Sequence, residues 1–346
     1  MNAVIQAATI AAERIGWEVF GIREGYSGLL EPDKYPDGGV FRLTSERVRD
    51  ISHLGGTILG TVNKGNPFKV TESLPGGIKV ERDRSGDVVA AFRDRELDAL
   101  IAIGGDGSLT IANHLQQCGL RVVGVPKTID NDLQSTVTTF GYQTAVSFAT
   151  ECIDRLHSTA DAHRRLIAVE VMGRYAGWIA LNAGIAGRAD AILIPEIPYD
   201  LEKIAGSIRQ KNRRYSIVVV AEGAKPQGGD VSVLSHEAGR QQRLGGAAER
   251  VAAELEKRIG HESRAVILGH LLRGGSPIAF DRILGLTFGA AAVSALNQGM
   301  DAVMVALHPP HIKYVPLAEA VAKMKQVPLD GEVVLTARAL GISLGD

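Results

Sequence analysis

Short aliphatic runs recur along the chain, with helix-spaced segments between them. Residues 3 to 15 carry apolar positions at helical spacing and predict an amphipathic helix, followed by the extended run WEVFGI. SERVRDISHL predicts a helix leading to a strand at GGTILG, SGDVVAAFRDRELD leads to ALIAIGG, and LTIANHLQQCG leads to RVVGVP, where the apolar run stops at Pro126. RLIAVEV, AILIPEI, SIVVVAEG, RAVILGH and DAVMVAL follow, most of them separated by helical segments. Continuous aliphatic strands alternating with helices predict an α/β protein with mainly parallel sheets covered by helices. The stretch AKPQGGDVSVLSHEAGRQQRLGG, residues 224 to 246, is polar and glycine-rich and predicts a mobile surface loop or lid.

The length of 346 residues exceeds what one core usually holds, so two lobes with a cleft between them are expected. A net charge of −1 gives no global field toward nucleic acid or an anionic membrane, so local basic clusters must bind any anion. Cys118 and Cys152 lie in apolar periodic segments and read as small buried hydrophobes, which suits a reducing, cytoplasmic setting. No apolar run reaches the roughly 18 residues of a membrane helix. The start, MNAVIQAATIAAERIG, lacks the basic head and cleavage site of a signal peptide.

In open α/β sheets ligands bind beyond the carboxyl ends of strands, and here those ends are loaded with polar groups. In ALIAIGGDGSLT, Gly104 and Gly105 permit a tight turn and close approach of phosphate to backbone N–H groups. Ser108 is placed to cap the next helix, and Asp106 to hold Mg²⁺. A plain strand-to-helix turn has the same spelling. In VPKTIDNDLQ, an extended chain would point Asp130 and Asp132 the same way, with Lys127 and Thr128 close by. Two carboxylates at an acceptor hydroxyl suit proton abstraction by one and positioning or metal contact by the other, while a lysine offsets their repulsion and steadies a moving phosphoryl group. The bland alternative is an Asx-turn with solvated acids. Arg164 and Arg165 precede LIAVEVMGR, where Gly173 allows a turn and Arg174 emerges as a phosphate fork. In RAVILGHLLRGGSP, His270 and Arg273 beside two glycines, with Arg264 upstream, suit a phosphomonoester; His270 alone would more often be a core histidine. Glu222, ending VVVAEG, is placed for a sugar hydroxyl or for a structural cap. Together these ends describe phosphoryl transfer to a sugar phosphate.

GGDGS, PKTIDND, EVMGR, AEG and GHxxRGGSP, in this order and spacing, resemble the 6-phosphofructokinase family, and the likeness extends through GIREGYSGLL, GGTILG and AFDRILGLTFGAAAV. The resemblance implies phosphoryl transfer to the 1-hydroxyl of fructose 6-phosphate, giving fructose 1,6-bisphosphate, with ATP and Mg²⁺. It implies Asp130 as general base, Asp132 as its partner at the same hydroxyl, Thr128 as a transition-state contact, and Arg174 as the stabiliser of the transferring group. Met172, Gly173, Glu222, His270 and Arg273 match the sugar-phosphate pocket; Arg165 and Arg264 match arginines that reach the 6-phosphate across a subunit interface. That implies a homodimer or homotetramer with shared active sites. Asp106 matches the magnesium aspartate, within a donor loop of Gly105, Asp106, Gly107 and Ser108. The implied architecture is a donor lobe of residues 1–141 with 272–322 and a sugar-phosphate lobe of residues 142–271 with 323–346, the active site lying in the cleft between them.

The resemblance leaves the donor open. Pyrophosphate users of the family commonly carry aspartate where this chain has Gly107, and a side chain there crowds the α-phosphate of ATP. Lys127 points the other way, toward pyrophosphate. Glycine at 107 with lysine at 127 resembles a mixed subgroup, and the steric argument favours ATP. Lys64 falls at or next to a family arginine that bridges donor and acceptor phosphates, but lacks the guanidinium fork. Family chains carry a strand and a GGDxPG loop directly ahead of NAVI; the chain as written starts at MNAVI, so weak donor binding and impaired stability are expected of it as written. The alternatives are a pyrophosphate-dependent enzyme, a non-catalytic subunit that binds sugar phosphate, and another GGDG kinase acting on NAD or lipid, which would not need the GHxxRGGSP pocket.

Overall fold

The computed structural model describes residues 1–62, 66–73, 77, 79–235 and 243–346. The chain divides into two compact units. The first comprises residues 1–128, 133–140 and 275–324; the second comprises 129–132, 141–274 and 325–346. The fold is α/β, as the alternating pattern predicts.

In the first unit the main sheet runs in the order His311–Pro316, Val303–His308, Val122–Thr128, Leu100–Gly104. The last three strands are parallel and the first is an antiparallel edge. Side-chain alternation along the central strand feeds two cores. Val122 packs with Leu109, Ala112 and Val88, from helices Asp106–Gln117 and Ser85–Asp94, while Val123 and Val125 pack with Val4 and Phe288. Helices Asn2–Arg14 and Ala279–Asn297 approach closely there, and a Cβ on Gly289 would stand 2.5 Å from the Val4 carbonyl oxygen.

Several sequence expectations change in this unit. WEVFGI forms Val19–Ile22, paired antiparallel with Val40–Leu43 in a separate ribbon rather than joining the main sheet. SERVRDISHL is a run of turns, and GGTILG is not a strand. Gly55 explains part of this: a Cβ there would lie 2.2 Å from the Gly275 carbonyl oxygen, so the segment is a close-approach loop. Ala279–Asn297 is long and apolar enough to cross a membrane by composition, although Asp281 and Arg282 interrupt it; half of its most apolar window is buried inside the protein.

In the second unit four parallel strands run in the order Ser263–Ile267, Leu166–Val171, Ser216–Ala221, Ala191–Leu193. Ile167, Val169 and Val171 face a core with Ala145, Ala149, Ile179 and Ala183, from helices Tyr142–His163 and Trp178–Ala186. Leu166 and Ala168 face the opposite core with Ile204, Ile208 and Val251, from Leu201–Lys211 and Ala247–Ile259. Both faces are covered, which is why these strands read as unbroken aliphatic runs. Of the stretch 224 to 246, Val233–Ser235 pairs antiparallel with Arg243–Leu244; residues 236–242 lie outside the described residues.

Candidate active site

The phosphate-loop candidate belongs to the first unit. Leu100–Gly104 ends and Asp106 opens the next helix immediately, with Gly105 as its N-cap. Ser108 therefore lies inside the first turn and makes no capping bond; the helix starts three residues earlier than the sequence reading expects. Ser108 instead lies close against the strand end, since a Cβ on Gly104 would stand 2.3 Å from the Ser108 Cβ. Gly105 approaches the neighbouring strand end, where its Cβ would lie 3.3 Å from the Lys127 carbonyl oxygen. Gly107 meets nothing within 4 Å, so the space beside it is open. Partial burial raises the Asp106 carboxyl above the ordinary aspartate range. Among the described residues no three His, Cys, Asp or Glu side chains converge as a metal cluster. A single carboxylate at a helix N-terminus still fits Mg²⁺, which takes one or two carboxylates and completes its shell with phosphate oxygens and water.

Lys127 and Thr128 end the strand Val122–Thr128, which runs two residues past Pro126. Thr128 is buried, and its carbonyl accepts from the Thr139 hydroxyl at 2.7 Å. Lys64 lies outside the described residues.

The acceptor-side candidates belong to the second unit, and there the chain gathers distant residues. Asp130 and Arg273 form an ion pair at 4.0 Å. Arg273 Nε also donates to the Met172 sulfur at 3.2 Å. Glu222 follows the strand Ser216–Ala221, and its N–H donates to the Val171 carbonyl at 2.9 Å. Burial raises the Glu222 carboxyl above the ordinary glutamate range, and the like charges of Asp130 and Glu170 add to this, with Arg273 opposing. Gly173 has φ +146, a conformation open to glycine, and sets the turn from which Arg174 leaves toward the face of Tyr175, 5.0 Å from its ring centroid. Gly223 docks against that turn, with its N–H on the Gly173 carbonyl at 3.2 Å.

The extended geometry expected for Asp130 and Asp132 does not form. Asn131 between them is left-handed, with φ +52, so strand alternation stops at Thr128 and does not set the direction of the two carboxylates. His270 is exposed in the short 3-10 helix Gly269–Arg273, three residues beyond the strand end, and is no core histidine. Arg165 and Arg264 meet on one carboxylate. Arg165 grips Glu262 with two bonds of 2.7 and 3.1 Å, and Arg264 Nη2 also donates to Glu262. Glu262 is held below the ordinary glutamate range, chiefly by the Arg165 hydrogen bonds. The sequence reading missed Glu262. It also missed Lys325, whose ammonium donates to the Asn131 side-chain oxygen at 2.9 Å from 194 positions away. The charged pair RR ahead of LIAVEV held a weak hint of an acidic partner; nothing in the sequence pointed to Lys325.

Comparisons with known proteins identify the family. Residues 1–296 match the family model described as phosphofructokinase. An ATP-dependent 6-phosphofructokinase of Chloroflexus aurantiacus is 46% identical over 100% of this chain and 94% of its own. A pyrophosphate–fructose 6-phosphate 1-phosphotransferase of Amycolatopsis mediterranei is also 46% identical, over 95% of this chain and 93% of its own. Among solved structures, Pichia pastoris phosphofructokinase in the T-state superimposes with a TM-score of 0.79 at 31% identity; the match covers 98% of this chain and 35% of the length of that one. The chain belongs to the phosphofructokinase family.

Proposed function

We propose that this chain transfers a phosphoryl group from ATP to the 1-hydroxyl of fructose 6-phosphate, yielding fructose 1,6-bisphosphate, with Asp130 as general base. The grouping of Asp130 with Arg273, Met172 and Glu222 carries the reading. It sets a carboxylate and a guanidinium beside strand ends, where a sugar phosphate is recognised by charge and by hydroxyl hydrogen bonds. Phosphofructokinase-type phosphoryl transfer in glycolysis is the activity that the family supports.

In this reading Asp130 takes the proton of the attacking hydroxyl, and Asp132 is its partner in positioning the acceptor. Arg273 offsets the negative charge that Asp130 and Glu222 would otherwise impose on an anionic substrate. Glu222 accepts from a sugar hydroxyl, and Met172, Gly173 and His270 line the same pocket. Arg174 and Thr128 donate to the transferring group where charge develops. Lys127 and the backbone of Gly105, Gly107 and Ser108 hold donor phosphates at the helix N-terminus. Asp106 would hold Mg²⁺, which when bound would neutralise donor phosphate charge. Arg165 and Arg264 serve the 6-phosphate of a neighbouring subunit in a homodimer or homotetramer, with Glu262 fixing their forks.

The open space beside Gly107 supports ATP, because nothing there crowds an α-phosphate. Pyrophosphate is the second reading, favoured by Lys127 and by the equally similar Amycolatopsis relative. The test is formation of fructose 1,6-bisphosphate from fructose 6-phosphate and Mg²⁺, with ATP and pyrophosphate in parallel. Turnover with ATP is expected. Asp130→Asn is expected to lower turnover at least ~10²-fold, the lower end for a positioned base, with little change in melting temperature. Turnover with pyrophosphate alone would overturn the donor, and wild-type turnover in Asp130→Asn would overturn the base.

A further inference from the structure

The turn that carries Asp130 is braced by a segment from the far end of the chain. Lys325 N–H donates to the Asp132 carbonyl at 2.8 Å, and Lys325 Nζ donates to the Asn131 Oδ1 at 2.9 Å. Asn131 is buried and left-handed, a backbone state that side chains rarely adopt and that asparagine tolerates better than most. Lys325 is itself anchored from behind. Trp178 Nε1 donates to its carbonyl at 3.0 Å, and its ammonium lies 5.4 Å from the Trp178 ring centroid. Two residues on, Val327 N–H donates to Glu196 at 2.9 Å, and both oxygens of Glu196 accept from Gly177 N–H at 3.1 Å. Helix start, strand-end acid and brace thus form one hydrogen-bonded chain that ends at the Asp130 turn. All of these residues belong to the second unit.

We propose that Lys325 is a positioning residue for phosphoryl transfer: by holding Asn131 Oδ1 and the Asp132 carbonyl it fixes the left-handed turn that aims Asp130, without itself touching substrate. The inference rests on the reading of Asp130 as general base. The chain keeps a lysine here at a cost. Burial pushes the Lys325 ammonium down to about 8, with the charge of Asp132 opposing. The other charged groups around the brace are Asp130, Glu196, Glu222 and Arg273. A purely structural strut would be served by an apolar side chain of the same length; an amine is needed where the amide oxygen of Asn131 must be held.

The experiment compares Lys325→Met, Lys325→Arg, Asn131→Gly, the double variant Asn131→Gly/Lys325→Met, and Asp130→Asn with wild type. Glycine preserves the left-handed backbone at 131 and removes the side-chain amide with its acceptor oxygen. Lys325→Met and Asn131→Gly are each expected to lower kcat about 10- to 10²-fold, the cost of a misaimed reacting group, while KM for fructose 6-phosphate stays within about 3-fold. The double variant should be no slower than the slower single variant, because both remove one interaction. Lys325→Arg, which keeps donor and charge, should recover most of kcat. Lys325→Met removes a buried charge but also the donor to the buried Asn131 Oδ1, so its melting temperature is recorded alongside kcat, and recovery in Lys325→Arg separates misaiming from loss of fold. A kcat within about 2-fold of wild type in Lys325→Met, or additive losses in the double variant, would overturn the inference while an inactive Asp130→Asn left the base assignment standing. A fully active Asp130→Asn, or a wild type inactive with both donors, would overturn the base assignment and this inference with it.

Discussion

Gly223→Ala isolates how the second unit sets its distances. The Cβ of alanine at 223 would stand 2.0 Å from the carbonyl oxygen of Arg174, 2.7 Å from its carbonyl carbon and 3.0 Å from the carbonyl oxygen of Gly173. All three are backbone atoms, so no rotamer change relieves the clash. Ordinary contact begins at 3.4 Å, so the end of the strand Ser216–Ala221 and the Gly173–Arg174 turn must separate by about 1 Å or more. That separation also stretches the 3.2 Å bond from Gly223 N–H to the Gly173 carbonyl. It falls between Glu222 and Arg174, one assigned to the sugar and the other to the transferring phosphoryl group. A misplacement of this size costs on the order of 10²-fold in kcat/KM. Overpacking costs about 1–3 kcal/mol of stability. The assay is kcat/KM for fructose 6-phosphate together with thermal unfolding. Gly206→Ala is the control, because it lies within helix Leu201–Lys211 and a Cβ there meets nothing within 4 Å. It should add about 0.5–1 kcal/mol and leave turnover unchanged. A Gly223→Ala protein with wild-type melting and wild-type kcat/KM would refute the claim that this contact sets the spacing of the site.

Gly107→Asp should fill the open space beside the donor loop with a carboxylate; kcat/KM with ATP is expected to fall at least ~10-fold, a loss of about 1.4 kcal/mol in transition-state binding, and to fall less with pyrophosphate. Equal losses with both donors would show that the space beside Gly107 does not select the donor. Glu222→Gln tests the raised carboxyl by linkage. Its folded pKa lies above the unfolded value, so the contribution of Glu222 to stability is present at low pH and lost as pH rises through the folded pKa. The glutamine variant should therefore melt higher than wild type near neutrality, with the gain vanishing below about pH 4, while KM for fructose 6-phosphate rises. A variant that melts lower at pH 7 would show that Glu222 is stabilised, not strained, where it stands.

The strands and turns that carry the candidate site were largely legible because they follow local rules. RLIAVEV and SIVVVAEG read as buried parallel strands since both of their faces meet helices, and the polar residues just beyond them read as site candidates because strands in such sheets end at ligands. GGDG spelled a tight strand-to-helix turn, and the structure puts Asp106 first in that helix. The same local logic failed where the tertiary structure overrode it. SERVRDISHL has helical spacing but forms turns, and the Gly55 segment that follows passes within contact of the Gly275 backbone instead of forming a strand. Asp130 and Asp132 were expected to share one strand face, and the left-handed Asn131 removes the alternation on which that rested.

What the sequence alone determined is therefore the α/β class, the strand ends and the residue types offered there. Periodicity and turn chemistry act over a few residues, and each of these features is that short. The tertiary structure decided which of those groups meet. Arg273 reaches Asp130 across 143 positions of chain, Arg165 grips Glu262 from 97 positions away, and Lys325 takes hold of Asn131 from 194 positions away. Such contacts depend on strand order and helix packing rather than on spacing along the chain, so no local pattern encodes them.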